Sequence, residues 1–183
     1  DNILVDTLTS NTTMNGDAGD DVLVSNATSG SDTLDGGDGN DLLIGGAGSD
    51  NLTGGLGADT FAWRLADKGT AGSAATTASD TIYGFDTVAN SDRLDLRDLL
   101  VGENHASGIG NLANYIDITT SGGNTLIRVS TTGGFTGGTY AAGAEDQRIT
   151  LSGADLYSSY GITAGNDAAL IQKLLTDGKL KVD

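Results

Sequence analysis

The chain of 183 residues has no cysteine, no proline, one histidine and one tryptophan. Without cysteine there is no disulfide framework, no thiolate metal site and no cysteine nucleophile. His105 alone leaves little material for a zinc site or a histidine-based triad. A collagen-like helix would need proline beside its glycine, and here 29 glycines stand with none. Basic residues are also scarce: nine Lys and Arg face 25 Asp and Glu, for a net charge of −16. That balance argues against nucleic acid or an anionic membrane surface as partner. No apolar run is long enough to span a bilayer. A basic start followed by an apolar stretch is missing too, so no N-terminal secretory signal is expected. The start at Asp1, without Met, is what a piece of a longer protein would show.

The negative charge is concentrated at one end. Residues 1–62 hold eleven Asp and no Lys or Arg, whereas the other 121 residues hold fourteen acids and nine bases. An internal repeat accounts for this. Residues 36–44 read GGDGNDLLI, 45–53 read GGAGSDNLT and 54–62 read GGLGADTFA. These are consecutive nine-residue units with Gly at positions one, two and four, Asp at six and an apolar residue at eight. ATSGSDTLD at 27–35 keeps Gly30, Asp32 and Leu34, and GDAGDDVLV at 16–24 keeps Gly16, Gly19, Asp21 and Leu23. Ser25 and Asn26 are inserted between those two units, and the opening DNILV looks like the tail of one more.

Each unit reads as a tight glycine turn followed by a short strand whose central side chain points inward. Two units then make one coil, with units 16–24, 36–44 and 54–62 on one edge and 27–35 and 45–53 on the other. Stacked strands lie about 4.8 Å apart. Carboxylates that close repel by roughly 3 kcal/mol per pair at an effective dielectric of 20. A hard cation between the turns removes the repulsion, and calcium suits loose, all-oxygen coordination better than magnesium does. A Gly/Asp/Ser-rich stretch can also be a flexible linker, but three units in strict register speak against that. An EF-hand is the other calcium-binding possibility, and its D-x-[DN]-x-[DN]-G-x5-E string is absent.

The nonapeptide resembles the calcium-binding repeat of RTX proteins. The resemblance implies calcium ligands from the second- and fourth-position carbonyls and the sixth-position Asp. These are Gly19 and Asp21; Gly30 and Asp32; Gly37, Gly39 and Asp41; Gly46, Gly48 and Asp50; Gly55, Gly57 and Asp59. Asp17 and Thr28 replace the second glycine in the two weaker units. A side-chain residue serves there only if the backbone angle is accessible to it, and the insert leaves the regularity of the first coil (16–35) open. The following segment, with TFAWRLADK and then DTIYGFDTVANSDRLDLRDLL at 80–100, resembles the stretch that closes RTX rolls in secreted proteases and large adhesins. Asp80 and Asp92 match its calcium-binding aspartates; Asp67 is a weaker candidate, and Asp86 and Asp95 read as caps or solvated. From pairs of stacked turns plus the closing segment, about four to six calcium ions are expected.

Residues 115–120, 124–131 and 147–153 alternate apolar and polar side chains as strands do. Asn166 or Asp167 is a good N-cap for a helix through AALIQKLLT, Gly178 falls where that helix should stop, and KLKV reads as a last strand. The expected fold is mainly β: a parallel β-roll, then a small β-rich capping region with a short C-terminal helix. Its segments are 1–62 (roll), 63–111 (closing segment) and 112–183 (β-rich region). The tail resembles the C-terminal target domain of type I secreted adhesins of Gram-negative bacteria. That resemblance implies a secretion signal within about residues 130–183, read by an ABC transporter with its membrane-fusion and outer-membrane channel partners.

No active site is read. His105 reads as a loop residue in GENHASG, Ser107 is not in a G-x-S-x-G elbow, and Trp63 reads as core at the roll's end. The expectation is a monomeric, extracellular module that is not an enzyme and is folded by calcium at the C-terminus of a large adhesin. The alternatives are the same module behind a secreted hydrolase, and a calcium-dependent glycan- or ice-binding domain.

Overall fold

Three-residue strands that bury only their middle side chain have to stack, because one such strand has no core of its own. Leu23, Leu43 and Phe61 are these middle residues on one side, and Leu34 and Leu52 on the other, all fully buried. The computed structural model describes residues 1–70, 77–88, 91–104 and 108–183. It is mainly β, with two largely parallel sheets facing each other across these leucines. The six-stranded sheet runs β1 (Ile3–Asp6), β3 (Val22–Ser25), β5 (Leu42–Ile44), β7 (Thr60–Ala62), β9 (Arg93–Asp95) and β13 (Leu180–Lys181), all parallel. In the other, β2 (Thr13–Asn15), β4 (Thr33–Asp38), β6 (Asn51–Leu56), β8 (Ala78–Tyr83) and β12 (Gln147–Ser152) are parallel. Here β11 (Asn124–Val129) and β10 (Ile116–Ser121) complete the sheet in antiparallel fashion.

The alternation between edges follows the reading of the repeat. Leu42 lies beside Thr60, and Thr33 beside Asn51. DNILV does form the first strand, β1, against β3. Across the Ser25–Asn26 insert the strands stay in register, with Val22 beside Leu42 and Thr13 beside Thr33. The strand β2 was not foreseen, because residues 7–15 lack the turn glycines and keep only Met14 as the buried position-eight residue.

Both sheets continue past residue 62: β8 and β9 extend them, and β12 and β13 follow. The roll therefore has its C-terminal end covered, with Ile82, Leu94 and Ile149 prolonging the buried stack. Two helices sit beyond it. The first, α1 (Leu156–Tyr160), is capped by Asp155 and ends at Gly161, a start-and-stop pair that the sequence reading passed over. The second, α2 (Asp167–Thr176), is capped by Asn166, whose side chain accepts from the Ala169 N–H. It buries Leu170, Ile171 and Leu174. Gly178, at φ +68, ends it, and the N–H groups of Gly178 and Lys179 return to the carbonyls of Leu175 and Leu174.

Coil stacking makes some glycines obligatory. At Gly57, with φ +134, a Cβ would sit less than 3.0 Å from the carbonyl oxygen of Gly39 in the coil beside it. Gly123, at φ +80 in the β10–β11 hairpin, has nothing within 4 Å of that position. Gly123→Ala should therefore cost only its backbone strain, about 1–2 kcal/mol. Gly57→Ala adds a backbone clash and should cost about 4 kcal/mol or more. Urea unfolding of both variants in excess calcium checks the difference.

Candidate metal centre

The sixth-position aspartates form two ladders, one along each edge of the roll. On the first, the N–H of Asp21 donates to Oδ1 of Asp41 (2.8 Å), Asp41 to Asp59 (2.9 Å) and Asp59 to Asp92 (3.0 Å). Asn2 donates to Asp21 at the open end. On the second, Thr12 donates to Asp32 (2.8 Å), Asp32 to Asp50 (2.8 Å) and Asp50 to Asp80 (2.9 Å). The structure thus brings Asp80 and Asp92 onto the ladders as their last rungs.

Oδ1 of every rung is satisfied in this way, and Oδ2 differs from rung to rung. In Asp21, Asp41, Asp50 and Asp59 it is buried with no hydrogen-bond donor. Each of these oxygens folds back over the first glycine of its own unit. A Cβ on Gly16, Gly36, Gly45 or Gly54 would strike it at less than 3.0 Å. Those first-position glycines were not singled out from the sequence, although their recurrence was the available signal. The remaining rungs are completed by protein donors. Ser25 Oγ, from the insert, donates to Asp32 Oδ2 (2.6 Å). Trp63 Nε1 (2.6 Å) and Gln147 Nε2 (2.9 Å) donate to Asp80 Oδ2, and the Asp86 N–H (2.7 Å) donates to Asp92 Oδ2. Trp63 is core, as expected, but its indole N–H has this second task. Gln147 was missed; its signal is a polar residue at an inward-facing position of an alternating strand.

The turn carbonyls stack in columns beside the ladders. The carbonyl of Asp17 faces Gly37 and that of Gly37 faces Gly55; Gly19 faces Gly39, Gly39 faces Gly57 and Gly30 faces Gly48. Asp17 meets the condition set for a replaced glycine: it has φ +70, and is the one non-glycine with positive φ among the described residues. Thr28 does not, and Gly46 lies instead against the carbonyls of Ser25 and Ala27. The first coil is therefore regular on the Asp21 edge and distorted on the Asp32 edge.

Among the described residues no three carboxylate or imidazole side chains converge on one point. A cation here would draw most of its ligands from backbone carbonyls, beside one or two carboxylate oxygens. That donor set is all oxygen, which fits calcium and not zinc. Asp67 is engaged elsewhere, in an ion pair with Arg64 (2.7 Å). Asp86 caps its own turn by accepting from the Val88 N–H (2.9 Å), as expected. Asp95 is a cap, accepting from the Arg97 N–H (3.4 Å), but it is buried rather than solvated and is also paired with Arg97 Nη2 at 2.6 Å. His105 and Ser107 lie outside the described residues.

Burial pushes the carboxyls of Asp41, Asp50, Asp59, Asp80 and Asp92 upward from their ordinary value of 3.8. Asp50 reaches about 8, with Asp80 and Asp32 adding to the rise and the Asp32 N–H opposing it. Burial also raises Asp59 to about 6, with Asp92 and Asp41 contributing, and Asp80 to about 6 against the pull of Trp63. Folded carboxyls with raised pKa hold protons that the unfolded chain releases. Their contribution to metal-free stability is present below the ordinary value near 4 and is lost as pH rises through 6 to 8. In calcium-free buffer the folded signal should therefore be larger at pH 5 than at pH 8, where the metal-free roll is expected to unfold. Far-UV circular dichroism at the two pH values checks the sign.

Residues 6–27 and 26–61 match the family described as RTX calcium-binding nonapeptide repeat. No curated protein matches the chain. Among the solved structures that resemble it over nearly all its length are two subunits of the Azotobacter vinelandii mannuronan C5-epimerase. The AlgE6R2 subunit is 26% identical with a TM-score of 0.59, covering 98% of this chain and 91% of that one. The AlgE6R3 subunit is 25% identical with a TM-score of 0.55, covering 95% of this chain and 80% of that one. The acidic first third of the chain is a run of RTX calcium-binding repeats, within a fold similar to the R2 and R3 subunits of that epimerase.

Proposed function

We propose that the chain is a calcium-conditional folding module of an exported protein. The supporting observation is the set of four buried, donor-less carboxylate oxygens on Asp21, Asp41, Asp50 and Asp59. A buried polar atom left unsatisfied costs about 1–3 kcal/mol, and more when it is charged. Four such atoms cost about as much as the whole stability of an ordinary domain, roughly 5–15 kcal/mol. Calcium at these oxygens converts the penalty into ligand bonds, with the stacked carbonyls of Asp17, Gly19, Gly30, Gly37 and Gly39 in the same turns as further oxygens. Asp32, Asp80 and Asp92 complete their rungs through one oxygen held by protein donors. On this reading the ion count is about four, one for each orphaned oxygen, at the lower end of the expected range.

At low free calcium residues 1–62 carry eleven uncompensated aspartates and few large apolar side chains, a composition that stays unfolded. In calcium outside the cell the same residues fold, with binding energy serving as folding energy. A chain without disulfides or proline isomerisation suits passage unfolded and rapid folding afterwards. We place the module at the C-terminus of a large extracellular adhesin of a Gram-negative bacterium. Residues 130–183 would be recognised by a type I ABC transporter and its channel partners. The module itself carries no catalysis in this reading. The likeness to epimerase subunits favours a second reading, in which it accompanies an enzyme that acts on a polyuronate.

In excess EGTA the β-sheet circular dichroism of residues 1–62 should be lost at pH 8 and return on adding calcium; a fully folded spectrum in EGTA would sink the proposal. Asp41→Asn should remove one ion from the stoichiometry measured by titration calorimetry. It should also remove about 2.7 kcal/mol of stability at calcium a hundredfold above its Kd. Fusing residues 130–183 to a passenger, with and without a type I transporter, tests export, and a passenger retained in both cases contradicts that part.

A further inference from the structure

The first ladder does not end where its carboxylates end. β13 stacks on β9 with Leu180 beside Leu94 and Lys181 beside Asp95, so the rung after Asp92 falls at Gly178. That position has no carboxylate. The next residue, Lys179, is 1% exposed, and it is one of nine basic residues in a chain of net charge −16. Its Nζ donates to the Asp86 carbonyl (2.9 Å) and to Ser91 Oγ, and lies 5.8 Å from the centre of the Phe85 ring. Burial works against its charge, the carboxylates of Asp86, Asp92 and Asp177 attract it, and Arg93 opposes them. Its backbone carbonyl also accepts from the Leu94 N–H (2.8 Å). A buried lysine is costly unless oxygens and negative charge receive it. Here a carbonyl, a hydroxyl and nearby carboxylates do so, the same chemistry that earlier rungs offer to a metal ion.

We propose that Lys179 is the tethered last cation of the Asp21–Asp41–Asp59–Asp92 ladder, a positioning residue that couples docking of the C-terminal helix and strand to the calcium-folded roll. The proposal rests on the calcium reading above. Asp86 is held beside the ladder through Asp92, because the Asp59 N–H and the Asp86 N–H each bond to the Asp92 carboxylate. The Asp86 carbonyl and the Ser91 hydroxyl then receive the ammonium. Until the roll folds, Lys179 has no oxygens to enter, and α2 and β13 lack their anchor. The tail would then stay accessible inside the cell and be packed away once calcium is met.

Two reporters separate the roll from the tail in the full chain. Trp63, the only tryptophan, reports the roll because its indole N–H is bonded to Asp80. Hydrogen exchange at the amides of Leu174, Lys179 and Leu180 reports the tail. In a calcium titration of the parent chain, both should respond at the same midpoint. Lys179→Met should keep the Trp63 response while tail amides exchange at least about tenfold faster in saturating calcium. Lys179→Arg, which keeps the charge, should restore most of that protection. If Lys179→Met leaves tail protection unchanged, Lys179 is not the coupling group. Should the Met variant fail to fold at all, the Arg variant decides: recovery of both signals supports the tethered cation, and failure equal to Met overturns it. A parent chain whose Trp63 signal ignores calcium would refute the calcium reading instead.

Discussion

A backbone N–H of one coil donates to the carboxylate of the next, and this bond repeats seven times along the two edges of the roll. It fixes the spacing of the coils and aims one oxygen of every aspartate along the stack. At Asp21, Asp41, Asp50 and Asp59 it also forces the other oxygen into a buried place with a glycine beneath it. The cost of that arrangement is electrostatic. Carboxylates about 4.8 Å apart repel by roughly 3 kcal/mol per pair, and the structure offers four of their oxygens no donor. The fold is therefore consistent with itself only when something positive lies along the ladders.

The rest of the molecule can be understood from where that requirement stops. Ser25 supplies a hydroxyl at the distorted first coil. Trp63 and Gln147 supply N–H groups at Asp80, where the second ladder ends. Lys179 brings a whole charge to the far end of the first. These donors come from an insert, a closing segment, the third strand of the β10–β12 meander and the residue just before the last strand. The residues beyond the roll do more than cover its hydrophobic end; they complete its electrostatics. This explains why both sheets run on into the second half of the chain without a break.

The repeat was the most legible part of the sequence, because a glycine turn and an inward leucine are local and recur in register. Both edges, the aspartate rungs and the strand DNILV followed from it. Asp80 and Asp92 came from resemblance, and their place on the ladders was visible only in three dimensions. The strand Thr13–Asn15 was not legible: its unit has lost the glycines, and only stacking against β4 holds it extended. Asp95 caps as read, but the string D-x-R did not show that its carboxylate is buried and paired with the half-exposed Arg97 two residues on. Gln147 and Lys179 were read as ordinary strand residues, since their partners lie 67 and about 90 residues away in sequence.

The central claim is that metal ions occupy the orphaned oxygens. A crystal of the calcium-loaded chain, with anomalous diffraction to locate the ions, tests it most directly. Peaks are expected at about 2.3–2.6 Å from Oδ2 of Asp21, Asp41, Asp50 and Asp59, and none inside the Lys179 site. Calcium bound only to exposed carboxylates such as Asp20, Asp35 or Asp38, with the ladders left bare, would contradict it.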